Sequence, residues 1–386
     1  MTATVAKEEM GQAEALPRTE RLVSLDAFRG LTIAGMILVN NPGSWSYVYP
    51  PLAHAEWHGW TPTDFIFPFF LFIVGVSITL SMSDRVRRGG EKRKVYLRIV
   101  RRTLILFGLG LFLNGFPFFE LDTLRIPGVL QRIAVCYFFA ALIFMKFRVK
   151  GQAIIAASLL ALYWLLMKLV PVPGYGAGVL EKDGNLAAYL DNLLMHGHLW
   201  KPTWDPEGIL STIPSIATTI LGMLCGHWLQ SDRETMKKIY GLIAGGIAGL
   251  AVGLIMDLWF PINKNLWTSS YVVFTAGWAL LVLALCYWAI DKVGLKKTAL
   301  PLVIFGVNPI TVYVLAGVVA RLIDLIKVGA PGSDGTQASL KSYVYENYFA
   351  SWAGPWNGSL FFALAFVLLM FVPIWVLYKK RVFIKI

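Results

Sequence analysis

The chain has 386 residues, of which 56% are hydrophobic, 14% aromatic and only 15% charged, and its mean hydropathy is +0.61. That composition excludes an ordinary soluble globular protein and describes a polytopic membrane protein. The formal charge of +12, from 35 Lys and Arg against 23 Asp and Glu, would point to nucleic acid in a soluble chain; here the basic residues lie between apolar stretches, and their natural partner is the face of a bilayer.

Residues 1–21 are polar and mixed in charge, unlike a cleaved signal, and read as a short cytoplasmic tail. Apolar stretches of bilayer length then recur at 25–43, 62–82, 97–116, 127–146, 151–171, 208–230, 237–259, 268–290, 299–326 and 358–378. Hydrocarbon offers no partner to an unpaired peptide group, so these spans must be helical. The expectation is an all-α polytopic bundle of about ten transmembrane helices, forming one membrane domain over residues 22–386 with no internal repeat.

Charge tests the count independently, because Lys and Arg accumulate on the untranslocated side. The tail and alternate loops hold 25 of them, nine between Arg85 and Arg102 alone. The opposite set holds only Arg125, Lys182, Lys201, Lys264, Lys327 and Lys341, and its first loop, 44–61, has none. Both termini are therefore expected in the cytoplasm. The outer loops 44–61, 172–207 and 327–357 are long and rich in Pro, Gly, Trp and Tyr, as loops that carry or cover a site tend to be. Cys136, Cys225 and Cys286 lie in apolar runs without ligand spacing, so neither a disulfide framework nor a metal site is expected.

Polar residues cluster where lipid would not want them. Asp26 and Arg29 are three apart in SLDAFRG, so on a helix they share a face and can pair, either as a structural ion pair or toward a ligand. Asn40 ends the first span in VNNPG, where an asparagine either bonds a neighbouring helix or polarises a substrate. His54 and His58 follow, beside Glu56, Trp57, Trp60 and Asp64. Each is an ordinary loop histidine or a proton acceptor near neutral pH; Pro50, Pro51 and Gly59 argue against a regular helix aligning them as metal ligands. Gln131 and Arg132 open the fourth span and must face the bundle interior. Asp205 and Glu207, in WDPEGIL, open the sixth, where the helix macrodipole favours acids. Lys264, with Asn263 and Asn265, lies in PINKNLWTSSY at the outer boundary, with Trp267 and Tyr271 as an aromatic belt, and Asn308 before Pro309 marks a kink. His196, His198 and His227 read as structural or solvent-facing. The P-loop, GxGxxG, HExxH and GxSxG patterns are all missing.

The run from SLDAFRG through VNNPG to HAEWHGWTPTDFIFPFFLFIVGVSI resembles the start of the catalytic region of heparan-alpha-glucosaminide N-acetyltransferases and their bacterial NagX-type relatives. LRIPGVLQRIAVCYF, WDPEGILSTIPSI, FPINKNLWTSSYV and FGVNPITVYV look like later blocks in the same order, so the resemblance covers about residues 21–380. LDAFRG alone is less specific, since a similar LDGLRG opens a separate family of membrane O-acyltransferases. The resemblance implies transfer of acetyl from cytoplasmic acetyl-CoA to the amino group of a glucosamine or terminal glucosaminide across the bilayer, with no metal. It places the active-site histidine at His54 and its companion asparagine at Asn40. Arg29, Gln131, Arg132 and Asn308 are the candidate contacts to acetyl-CoA; Asp64, Asp205, Glu207, Lys264 and Asn265 are those to the acceptor. The departures from the lysosomal enzyme imply the smaller bacterial form, in an inner membrane and without the large luminal domain; aromatic and small residues on the lipid face are compatible with a homodimer, and no nucleic-acid partner is expected.

An amine attacks a thioester only when neutral, which calls for a base, and the tetrahedral intermediate gathers negative charge on oxygen, which calls for a donor. His54 suits the first task and Asn40 the second. Direct transfer in a ternary complex and relay through an acyl-imidazole both remain open, the first needing fewer assumptions. The competing functions are a membrane O-acyltransferase of cell-surface saccharides and a secondary transporter.

Overall fold

The computed structural model describes residues 22–87, 91–329 and 337–384; the expected tail 1–21 lies outside the described residues. Its main helices are α1 (Val23–Asn40), α2 (Ile66–Arg87), α3 (Lys92–Gly115), α4 (Val129–Lys146), α5 (Val149–Leu169), α6 (Leu186–Met195), α7 (Thr212–Gln230), α8 (Thr235–Asp257) and α9 (Ser269–Cys286). They are followed by α10 (Leu300–Val307), α11 (Pro309–Leu325), the two-stranded hairpin β1 (Lys327–Gly329) and β2 (Gln337–Ser339), α12 (Leu340–Tyr345) and α13 (Ser351–Lys379). The chain is thus an all-α polytopic bundle. Eight described helices are long and apolar enough to cross a membrane, nine if α10 and α11 count as one bent span. The remaining expected segment, 97–116, is the helix α3, whose apolar half still begins with Arg98, Arg101 and Arg102. Leu104, Ile154, Leu254 and Leu368 project from α3, α5, α8 and α13, the apolar exterior that lipid requires.

Close helix approach replaces the hydrophobic effect as the organising force inside lipid, so small residues mark the tightest seams. A Cβ on Gly30 would lie 1.7 Å from the Leu302 carbonyl oxygen, and one on Gly306 would lie 1.8 Å from that of Asp26. Helix α10 therefore runs antiparallel to the start of α1, and its last turn returns to the end of the bundle that holds Asp26. There the chain bends by 82° between Val307 and Pro309, so the span expected over 299–326 is a broken one. Asn308 sits at the break, where Pro309 lacks the N–H that would continue the helix. Its side chain donates to the Val382 carbonyl (3.0 Å) and accepts from the Ile384 amide (2.8 Å), tying the break to the segment after α13.

Two further expectations change. The outer loop 172–207 contains the helix α6, whose Asn185 cap accepts from the Ala188 amide at 2.8 Å. Trp267 and Tyr271 are not a lipid-facing belt: both are fully buried, Trp267 edge-on to Phe67 and Tyr271. Period-blind hydropathy cannot tell a boundary tryptophan from a core one.

Candidate active site

Three loops converge at the end of the bundle reached by the C-terminus of α1. The Trp57 indole donates to the Leu180 carbonyl (2.8 Å) and packs on Trp204, joining the first loop to the one containing α6. The Gly59 amide donates to the Ile262 carbonyl (2.8 Å), joining it to the α8–α9 loop. His54 is held in this junction.

Pro50 to Leu52 form a single 3-10 turn, and the chain then runs irregularly to a second one at Pro62–Phe65, so His54 and His58 share no helical face. Asp64 closes the segment as a capping box. Its Oδ2 accepts from the Thr61 amide (2.9 Å) and the Ala55 amide (3.1 Å), while Oδ1 lies 2.7 Å from His54 Nδ1. The Asp64 side chain is 1% exposed and that of His54 is 46% exposed. A carboxylate so held only accepts, so Nδ1 carries the ring proton and Nε2 presents its lone pair outward. The Tyr271 hydroxyl donates to the Asp64 carbonyl and fixes the same turn from α9.

Lys264 reaches the ring from the α8–α9 loop. Its Nζ lies 3.0 Å from Nδ1 and 3.1 Å from Nε2 of His54, and 3.8 Å from Asp64 Oδ1. At nearly equal distances from both ring nitrogens, Nζ stands over the ring face rather than on the in-plane Nε2 lone pair. Burial pushes the Lys264 ammonium below the ordinary lysine range, opposed by Asp64 and Glu207 and reinforced by Arg132. The loop is shaped by Trp267, a non-glycine residue at φ 53° whose indole donates to Thr218 Oγ1 (3.1 Å). Asn263 is buried, accepts from the Leu266 amide (2.8 Å) and donates to His58 Nδ1 (3.3 Å). Asn265 is half-buried and makes no side-chain hydrogen bond among the described residues.

Asp205 and Glu207 do not open a helix, since α7 starts only at Thr212; they pair with Arg125 instead. Asp205 takes Arg125 Nε on Oδ2 (2.8 Å) and Nη2 on Oδ1 (2.6 Å), plus the amides of Trp200 and Glu207. The two carboxylates hold the Arg125 guanidinium above its ordinary range. Glu207 gives Arg125 one oxygen, Oε2. Beneath them Arg132 is buried against the Trp267 ring at 5.1 Å, donating through Nη2 to the Gly208 carbonyl and Ser211. Its Nε and Nη1, and Gln131 Nε2, are buried with no hydrogen-bond partner among the described residues.

Asn40 ends α1 with an exposed side chain that makes no hydrogen bond among the described residues. Asp26 and Arg29 lie at the other end of that helix, 3.0 Å apart. Arg29 also donates to Ser77 Oγ (2.7 Å) and the Gly306 carbonyl (3.2 Å). Together with Ser81, Gln230, Arg233 and Lys238 they line an open cavity of about 660 Å³. The structure thus gathers His54, Asp64 and Lys264 at one end and sets Arg29 at the other, with Asn308 near the latter. Sequence reasoning overlooked Thr61, Asn263 and Tyr271 as supports, and also Asp191. That residue is a buried acid of α6 whose Oδ1 accepts from the Ile209 amide (2.8 Å). A lone acid within LAAYLDNLLM was the available signal.

Comparison with known proteins meets this geometry. Residues 21–252 match the family described as heparan-alpha-glucosaminide N-acetyltransferase, catalytic. The mouse and human proteins named heparan-alpha-glucosaminide N-acetyltransferase are each 33% identical to the chain across 76% of its length. The matched part is 53% of the mouse protein and 52% of the human one, so the chain spans about half the length of these curated relatives. The chain belongs to the heparan-alpha-glucosaminide N-acetyltransferase family.

Proposed function

We propose that the chain is a transmembrane N-acetyltransferase that moves acetyl from acetyl-CoA to the amino group of glucosamine or a terminal glucosaminide. The observation that carries this reading is the His54 ring, fixed by Asp64 through Nδ1 so that Nε2 faces the site, in a chain of this family. The acceptor ammonium gives its proton to Nε2 and the neutral amine attacks the thioester carbonyl. Asn40 donates to the oxygen as charge develops there, the CoA thiolate leaves with the proton returned by His54, and the nitrogen releases its second proton to solvent. In this reading Glu207 and the His54 edge contact the acceptor, while Asp64 acts through His54 and Asp205 through Arg125.

Acetyl-CoA enters by the Arg29 cavity, whose Arg29, Arg233 and Lys238 suit phosphates. Arg29 and Asn40 are eleven residues apart on α1, about 16 Å along its axis at 1.5 Å per residue, a length that a pantetheine arm covers. The partnerless N–H groups of Gln131 and Arg132 suit the carbonyls of that arm. The positive-inside pattern puts the Arg29 end in the cytoplasm, with both termini, and a bacterial inner membrane is the matching location.

The test is an assay on detergent-solubilised protein given acetyl-CoA and glucosamine, with no gradient. Formation of N-acetylglucosamine, abolished in His54→Ala, is the expected result. Acetylation of hydroxyl acceptors alone would make the protein an O-acyltransferase, and gradient-driven uptake without acetyl transfer would make it a transporter.

A further inference from the structure

We propose that Lys264 is a site of self-acetylation: without an amino sugar, its ε-amine accepts the acetyl group, and the resulting amide closes the site. The inference rests on the acetyltransferase reading above and extends it to a modification of the chain itself.

An acceptor amine must hand a proton to the base, reach the acyl carbon and be available as the neutral form. Lys264 Nζ stands over the His54 ring, 3.1 Å from Nε2, and a rotation of its flexible side chain carries it to the in-plane lone pair that takes an acceptor's proton. The Lys264 side chain is 16% exposed beside the half-open His54 ring, so a thioester delivered to that ring meets both. Burial in the α8–α9 loop favours the uncharged amine.

The step balances. The ammonium gives one proton to Nε2, and the free amine attacks the carbonyl carbon of acetyl-CoA, forming a C–N bond. The C–S bond breaks, CoA leaves as the thiol with a proton from the imidazolium, and the amide nitrogen releases its second proton to solvent. The products are Nε-acetyl-Lys264, CoA and one proton. The amide carries no charge to face Asp64, 3.8 Å away, and it fills the approach to Nε2. An amino sugar competes for that approach, so acceptor protects the enzyme and acetyl-CoA alone shuts it.

The experiment incubates the solubilised full chain with isotope-labelled acetyl-CoA, with and without glucosamine, and follows lysine acetylation by peptide mass spectrometry. Lys264 is expected to be modified about tenfold or more faster than the exposed Lys182 and more slowly when glucosamine is present. His54→Ala should slow it about 10²-fold, and glucosamine turnover by the unsubstituted protein should fall in step with the fraction of Lys264 acetylated during preincubation with acetyl-CoA. If the same preparation acetylates glucosamine while Lys264 stays bare, keeps pace with Lys182 or ignores His54→Ala, the inference is overturned and the enzyme reading stands. If neither sugar nor Lys264 is acetylated, both fall.

Discussion

The two ends of α1 are built on opposite principles. At the Asn40 end, His54, Asp64, Lys264, Asn263 and Tyr271 are locked by hydrogen bonds drawn from two loops and α9, and the cavity lined by Val39, Pro42 and Ala363 measures only about 20 Å³. At the Arg29 end, four helices leave an open cavity of about 660 Å³ lined by Arg29, Arg233 and Lys238 together with Asp26 and Asp232. Proton transfer and attack tolerate little positional error, whereas a polyanionic donor needs room and charge. On the proposed function, chemistry belongs to the crowded end and donor admission to the roomy one. Substitutions at the first should therefore change turnover, and at the second affinity.

The largest effect is expected from His54→Ala, which should cost about 10²- to 10⁴-fold in kcat and leave acetyl-CoA binding, measured calorimetrically, unchanged. Asp64→Asn should follow it in direction: the amide would turn the ring tautomer around, so kcat falls while the KM for acetyl-CoA holds. An equal rise in KM would mean that the crowded end also binds the donor, and would blur the division. Asn40→Ala should raise the barrier by about 2.7 to 4 kcal/mol if its amide meets the oxyanion, read from kcat in steady state.

At the roomy end, Arg29→Ala should weaken acetyl-CoA by about 1.5 to 3 kcal/mol, the worth of hydrogen bonds to a charged group, with kcat little altered once donor saturates. Because Arg29 also binds Ser77 and the Gly306 carbonyl, a thermal melt belongs beside the titration. A fall in kcat at saturating donor would show that the two ends are coupled through α1.

How much of this could be read from the sequence follows from the range of the signals. Hydropathy over a bilayer's length located every long helix, and Asn308 before Pro309 marked the break, though not its 82° angle or the return of α10 beside α1. The His54 and Asp64 pair is ten residues apart, within reach of local reading, yet which carboxylate oxygen meets which nitrogen depends on two turns that hydropathy does not register. Lys264 comes to His54 from 210 residues away, and only its block of neighbouring asparagines flagged it. Arg125 shows the opposite failure: Asp205 and Glu207 looked like helix-opening acids because the partner lies 80 residues upstream. Asp191 escaped because a single acid in a ten-residue apolar helix carries little weight against its neighbours.

Asp191 gives the smallest and most separable test, since it lies on α6 beside the crowded end without touching His54. A Cβ on Gly208 would lie 1.7 Å from its Oδ2, so the acid is wedged against the strand of chain that leads from Glu207 to Arg132's partner carbonyl. Burial pushes its pKa up to about 7, partly offset by the Ile209 amide and Arg132 and reinforced by Asp205. The folded state therefore holds this proton more tightly than the unfolded chain, whose aspartate titrates near 3.8. The stabilisation it brings is complete below about pH 4 and is lost as pH rises through 7. Asp191→Asn keeps the acceptor for the Ile209 amide and removes the titration. The variant should gain on the parent protein by about 2 kcal/mol between pH 5 and pH 8, seen as a growing difference in melting temperature. Kinetics at pH 6 should hardly change, because the group acts on the support of Glu207 rather than on the base. A loss of turnover with no pH-dependent gain in stability would instead draw α6 into the chemistry and extend the crowded end outward by one helix.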